Sequence, residues 1–265
     1  MQIETVETSS FEMDYFRFGR GNDALVILPG LSVQSVMNVA DAVATAYRLL
    51  ADDFTIYLFD RRKSFSAPYT VRMMAHDTCE ALRALELDRI NLFGTSLGGM
   101  TALQIAIDQP GFVGKLVLGS TSARVSEEQY RTIEHWIRLA EEGDAAALNL
   151  AFGEAIFPPT MFEQLRELLL DAAKSVTDEE LRRFIILAQG IRGFDVLNDL
   201  KEITCPTLAI GSSDDQVLGA DATLQIAERL GARPDFQLHM YDGYGHAAYD
   251  TAPDYKERLL RFLVA

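Results

Sequence analysis

The segment that most constrains the fold is Gly94-Thr95-Ser96-Leu97-Gly98-Gly99, which lies between an apolar run, Arg89 to Phe93, and a stretch of helical spacing, Met100 to Asp108. Read together, these pieces spell a strand, a sharp turn and a helix. A G-x-S-x-G spacing puts the serine at the tip of a strained turn, where flanking glycines let the helix approach the strand and leave the hydroxyl exposed. Ser96 is therefore the candidate nucleophile. The plain alternative is a tight turn carrying a hydrogen-bonded serine, so the partners must decide.

A serine hydroxyl needs a base to take its proton and a third group to orient that base. The chain has four histidines. His76 falls in a helical run from Val71 to Leu85, His135 in an amphipathic segment from Glu127 to Glu142, and His239 in the alternating strand pattern Phe236 to Tyr241, so each reads as structural. His246 differs. It ends the glycine-rich loop Asp242-Gly243-Tyr244-Gly245-His246 just after that strand, the kind of loop in which catalytic side chains sit.

The orienting acid is expected between the serine and the histidine. Pro206 to Ile210 reads as a short buried strand, and Gly211-Ser212-Ser213-Asp214-Asp215 follows it. Asp215 is the favoured acid and Asp214 the alternative, because Val217 and Leu218 can anchor the loop in the core while Asp215 turns toward His246. The bland reading has one or both carboxylates capping the helix from about Asp221 to Leu230 or facing water. Backbone donors for an oxyanion would come from Leu97, next to the nucleophile, and Leu31, in the turn Pro29-Gly30-Leu31-Ser32 after the strand Ala24 to Leu28.

With these residues in place the chain resembles the α/β-hydrolase family over nearly its full length. The likeness implies Ser96 as nucleophile, Asp215 or Asp214 as orienting acid, and His246 as general base. It also implies a helical lid over Ser96. Two departures stand out. Pro29 replaces the frequent histidine of an HG motif, and Asp60-Arg61-Arg62-Lys63-Ser64 replaces a glycine-rich loop, which makes that segment unusually cationic.

Strand-like segments at Ile3 to Val6, Phe11 to Phe18, Ala24 to Leu28, Phe54 to Phe59, Ile90 to Phe93, Lys115 to Gly119, Thr207 to Ile210 and Phe236 to Tyr241 alternate with helical patterns from Val33 onward. This predicts an α/β fold with a mainly parallel eight-stranded sheet, helices on both faces and an antiparallel edge from the first two strands. Between Thr121 and Leu200 the strand pattern gives way to four helical stretches, Glu127 to Glu142, Asp144 to Phe152, Thr160 to Lys174 and Asp178 to Gln189. The expected organisation is a core of residues 1–120 and 201–265 with a helical cap at 121–200. The cap's apolar residues, Trp136, Phe152, Phe157, Met161, Phe162, Phe184 and Ile185, are expected mostly to dock it onto the core and in part to line a pocket.

At 265 residues, 48% hydrophobic and 24% charged, the chain has an ordinary globular composition. A net charge of -15 argues against nucleic acid as a partner. Cys79 and Cys205 lack metal-like spacing and read as reduced thiols, and no metal or cofactor is expected. The N-terminus reads as a strand rather than a signal peptide, and no apolar run approaches the ~20 residues of a membrane span. These features lead to the expectation of a cytoplasmic enzyme for a small molecule, with a homodimer left open. The expected reaction is cleavage of a small ester or thioester through an acyl-enzyme. The alternatives are carbon–carbon bond hydrolysis or a lyase reaction on the same triad, or a non-catalytic receptor of this fold.

Overall fold

Eight segments rich in β-branched and aromatic residues pair into one sheet in the computed structural model, which describes residues 1–265. They are β1 (Glu4–Glu7), β2 (Glu12–Gly19), β3 (Asp23–Leu28), β4 (Phe54–Arg62), β5 (Ile90–Thr95), β6 (Val113–Gly119), β7 (Thr207–Ser212) and β8 (Phe236–Tyr241). Their spatial order is β1-β2-β4-β3-β5-β6-β7-β8. β1 and β2 are antiparallel to their neighbours, and every pair from β4 onward is parallel. The chain is thus an α/β protein with the expected antiparallel edge.

Parallel strands covered on both faces need apolar residues on both sides, and β3 supplies them with Leu25, Val26, Ile27 and Leu28 all buried. Alternation then divides the core. Val26, Leu92, Leu116 and Ala209 face one apolar layer, and Leu25, Phe93, Val117 and Ile210 face the other. The first layer is closed by α2 (Val71–Ala84), α3 (Leu97–Asp108) and α8 (Ala220–Leu230); the second is closed by α1 (Ala40–Ala46), the short α9 (Ala248–Thr251) and α10 (Tyr255–Val264).

Four helices, α4 (Glu127–Glu141), α5 (Ala145–Ile156), α6 (Pro159–Ala173) and α7 (Asp178–Gln189), intervene between β6 and β7. Local chemistry sets their ends. Ser126 with Gln129 and Thr177 with Glu180 form capping boxes that start α4 and α7, and Pro159 occupies the first turn of α6. α5 runs four residues beyond the expected Phe152, to Ile156, until Pro158 prevents continuation. The buried Trp136, Leu148 and Phe184 belong to the same apolar layer as Leu92 and Met100, so these helices share the sheet's core. None of the helices is long and apolar enough to cross a membrane.

Candidate active site

β5 delivers Ser96 to the carboxyl edge of the sheet in a conformation that side chains rarely adopt, φ 50° and ψ −119°. Such strain persists only where the surroundings over-determine it. Three contacts do so here: the Ser96 N–H donates to Gly119 O at 2.9 Å, and the Ser96 carbonyl accepts from Thr121 Oγ1 at 2.6 Å and from the Met100 N–H at 3.0 Å. The glycines are steric requirements. A Cβ at Gly98 would overlap the Leu28 carbonyl oxygen, one at Gly94 the Gly98 carbonyl, and one at Gly99 the Thr121 side chain. Although Ser96 stands at the N-cap of α3, its hydroxyl makes no capping bond, which leaves it available for other chemistry.

β7 and β8 end on the same edge. After β7, Asp215 is buried, and its Oδ1 accepts from the N–H groups of Val217 at 2.8 Å and Leu218 at 3.0 Å. Its other oxygen, Oδ2, lies 2.8 Å from His246 Nδ1. Burial pushes the Asp215 pKa up, but the attraction and hydrogen bond of His246 and the two backbone donors outweigh it and hold the carboxyl below its ordinary value. His246 itself is only 2% exposed. The structure therefore joins Asp215 to His246 directly, while Ser96 is not hydrogen-bonded to either.

Asp214 does not reach the imidazole. Its Oδ1 accepts from Ser212 Oγ at 2.6 Å and the Gly243 N–H at 3.1 Å, and its Oδ2 from the Gly245 N–H at 3.1 Å. One aspartate thus meets the imidazole while its neighbour ties down the loop that carries it. Burial raises the Asp214 pKa, and these hydrogen bonds reverse the shift and leave it lowered. Gly243 and Gly245 have φ of 81° and 65°, the left-handed region that glycine enters freely.

Pro29, Gly30 and Leu31 follow β3. A Cβ on Gly30 would sit 3.3 Å from Ser96 Cβ and 3.9 Å from Ser96 Oγ, so the turn runs directly past the hydroxyl. The Leu31 N–H has no acceptor within the protein, and Leu97 opens α3, where the first amides lack intrahelical acceptors. Beneath this turn lies a residue that the sequence marks only as part of a cationic segment. β4 extends three residues past the expected Phe59, and Arg61, 8% exposed, donates from Nη2 to Pro29 O at 2.7 Å. Burial lowers its pKa, opposed by the neighbouring Asp60 charge. Asp60 pairs at 2.8 Å with Arg183 of α7 and accepts from Ser35 Oγ. Asp60 and Arg61 of the cationic segment are thereby internal ties, whereas Lys63 is exposed and pairs with Glu12 and Asp14.

A cavity of about 350 Å³ adjoins the turn. Its walls include Gly30, Leu31, Tyr47 and Phe152, and Asn149 and Asp250 contribute polar groups. His76 and His135 are exposed and His239 lies on β8, all outside this assembly. Cys79 and Cys205 are free and buried, and burial pushes each thiol up to about 11, which makes both poor nucleophiles. His76, Asp77 and Glu80 cluster on α2, but Asp77 already accepts from Tyr69 OH at 2.8 Å and faces Arg62 at 3.5 Å.

The sequence profile of the alpha/beta hydrolase family matches residues 25–255. The chain belongs to that family and is a hydrolase by class. Among its relatives, a putative carbamate hydrolase RutD from Agrobacterium fabrum is 30% identical over 81% of this chain and 85% of its own. A 2-hydroxy-6-oxononadienedioate/2-hydroxy-6-oxononatrienedioate hydrolase from Pseudomonas is 27% identical over 92% of this chain and 89% of its own. The crystal structure of MGS-M2, an alpha/beta hydrolase from a Medee basin deep-sea metagenome library, superposes with a TM-score of 0.87 at 22% identity, covering 99% of this chain and 98% of the other.

Proposed function

We propose that the protein is a serine hydrolase that cleaves a small carboxylic ester or thioester through an acyl-enzyme. The observation that carries this reading is the buried Asp215–His246 pair at 2.8 Å, standing on the same sheet edge as the strained, uncapped Ser96. In the proposed reaction His246 takes the Ser96 proton as Oγ attacks the substrate carbonyl. The Leu31 and Leu97 amides receive the oxyanion, and the leaving group departs with the proton held by His246. Water, deprotonated by the same base, then attacks the acyl carbonyl and releases the acid and free Ser96. Asp215 holds the imidazole tautomer and steadies its cationic form. Apo structures commonly leave the serine–histidine bond loose until substrate arrives.

Helices α4–α7, residues 121–200, serve in this reading as a lid. Phe152 on the cavity wall and the Ala247 N–H bond to Ile156 O, which ties the histidine loop to α5, support it. The free thiols Cys79 and Cys205 fit a reducing, cytoplasmic setting. Carbon–carbon bond hydrolysis is the second reading, favoured by the likeness to the Pseudomonas dienedioate hydrolase. It would use the same residues on a vinylogous or 1,3-diketone substrate.

The test combines labelling and turnover. A fluorophosphonate probe should label the wild type and fail on Ser96→Ala, with turnover of a short p-nitrophenyl ester falling by several orders of magnitude. Equal labelling of both proteins would end the acyl-enzyme reading. Product analysis with a 1,3-diketone separates ester from carbon–carbon cleavage.

A further inference from the structure

The cavity beside the Gly30-Leu31 turn has mostly apolar walls, among them Ile27, Val43, Leu58 and Leu169. Two polar side chains on its wall leave acceptor atoms unused. Asn149 is only 8% exposed, and its Nδ2 donates to Leu169 O at 3.2 Å. That bond fixes the amide orientation and leaves Oδ1 without a partner. Asp250 accepts no hydrogen bond; its nearest cation, Lys256 Nζ, stands 3.8 Å from Oδ1.

The Asp250 side chain is 56% accessible, yet loss of solvation by burial raises its pKa against the opposing pull of Lys256. Asp250 is thus an exposed carboxylate on the cavity wall, flanked by Lys256. Lys256 does not fill its lone pairs, because its ammonium donates to Tyr249 O and lies 5.0 Å from the centre of the Tyr47 ring. A buried acceptor left unpaired costs about 1–3 kcal/mol, and more when charged. Neither Asn149 Oδ1 nor the Asp250 carboxylate is sealed from water, so an occupant that displaces that water must bring donors of its own.

We propose that this cavity is a subsite for a neutral limb of the substrate that ends in N–H donors, a primary amide being the simplest form. Lys256 Nζ, 3.8 Å from Asp250 Oδ1, offsets the charge of the carboxylate, so the wall has little net pull on a cationic limb, whereas a neutral amide offers two N–H bonds to the two acceptors. The subsite touches Gly30 and Leu31, the turn that passes Ser96 Oγ, so the limb would hang from the group being cleaved. This assignment rests on the serine-hydrolase reading for that connection but not for its binding chemistry. A pocket built to accept hydrogen bonds discriminates strongly against an analogue that lacks the donors.

Pentanamide and 2-hexanone have nearly the same shape and differ by NH2 against CH3, so they isolate the donors. Binding of both to Ser96→Ala protein, which cannot form an adduct through Ser96, is measured by ligand-observed NMR titration. Pentanamide should bind about tenfold more tightly, a difference of about 1.4 kcal/mol. In Ser96→Ala/Asp250→Leu that preference should shrink to about threefold or less. Equal affinities, tighter binding of the ketone, no binding of either up to saturation, or a preference that survives Asp250→Leu would each overturn the proposal. Failure of the hydrolase reading would show separately, as wild-type protein inert to fluorophosphonate and esters.

Discussion

Arg61 Nη2 donates to the carbonyl oxygen of Pro29 at 2.7 Å, so a buried guanidinium on β4 braces the turn that precedes Leu31. If the Leu31 amide receives an oxyanion, this brace sets its aim. Preorganised donors matter most in the transition state, so a loosened turn should affect kcat rather than KM. Arg61→Met should lower kcat by roughly ten- to a hundredfold with KM changed by less than about threefold. Arg61→Lys should recover part of the loss. Steady-state kinetics on a short ester, with folding checked by thermal melts, decides it, and a pure KM effect would contradict the bracing role.

The two adjacent aspartates should separate sharply. Asp215→Asn removes the carboxylate that orients His246, and kcat should fall by roughly 10⁴ while the fold survives. Asp214→Asn keeps one oxygen for the Ser212 and Gly243 donors, gives up the acceptor of the Gly245 N–H, and should lose tenfold or less as a rough estimate. Asp214→Ala frees the loop from all three bonds and should lose more activity than Asp214→Asn. The reverse ranking of the two asparagine variants would transfer the orienting role to Asp214.

Acidification should expose the linkage at Asp215. Its pKa is lowered in the folded protein, so its contribution to stability is present above the unfolded carboxylate value of about 3.9 and is lost as pH falls through the folded value. The gap in Tm between wild type and Asp215→Asn should therefore be widest near neutrality and narrow below about pH 4. A gap that widens on acidification would mean that the carboxylate is not stabilised by folding.

Gly30 and Gly98 make a second contrast. At Gly98 a methyl group would strike the backbone oxygens of Leu28 and Pro29, which cannot give way cheaply, so Gly98→Ala should destabilise by several kcal/mol, on the order of 3–5. At Gly30 the new methyl lies 3.3 Å from Ser96 Cβ. That variant should fold with a Tm close to wild type and lose activity. Calorimetry and ester turnover together check both.

Phe152 is the cleaner test of the lid. Excising residues 121–200 would expose the core that Trp136, Leu148 and Phe184 share with the sheet, so that truncation should aggregate rather than report on access. Phe152 is only partly buried, lies with its ring centre 4.6 Å from that of Trp136 at a tilted angle of 47°, and lines the cavity. Phe152→Ala should raise turnover of bulky esters relative to acetate. An unchanged substrate profile would remove α5 from the specificity wall.

Much of the fold was legible in the chain because the signals are local. The continuous apolar run Leu25 to Leu28, the alternation in Phe236 to Tyr241 and the capping chemistry at Ser126 and Thr177 each act within a few residues. Strand and helix ends were less legible. β4 reaches Arg62 because β2 pairs with it there through Met13, a partner almost 50 residues away. Arg61, Asn149 and Asp250 carried no motif, and their meaning lies in what they face.

Residues 94–99 by themselves determined the turn at Ser96: glycine at 94, 98 and 99 is what lets a strand and a helix close on each other, whatever else the chain does. The distinction between Asp214 and Asp215 was decided only by the tertiary structure. Both have the same side chain and nearly the same position, and their partners, Gly243, Gly245 and His246, lie some 30 residues further on, brought alongside by the parallel pairing of β7 with β8. A carboxylate takes its role from the donors that reach it, and those are set by the packing of distant segments.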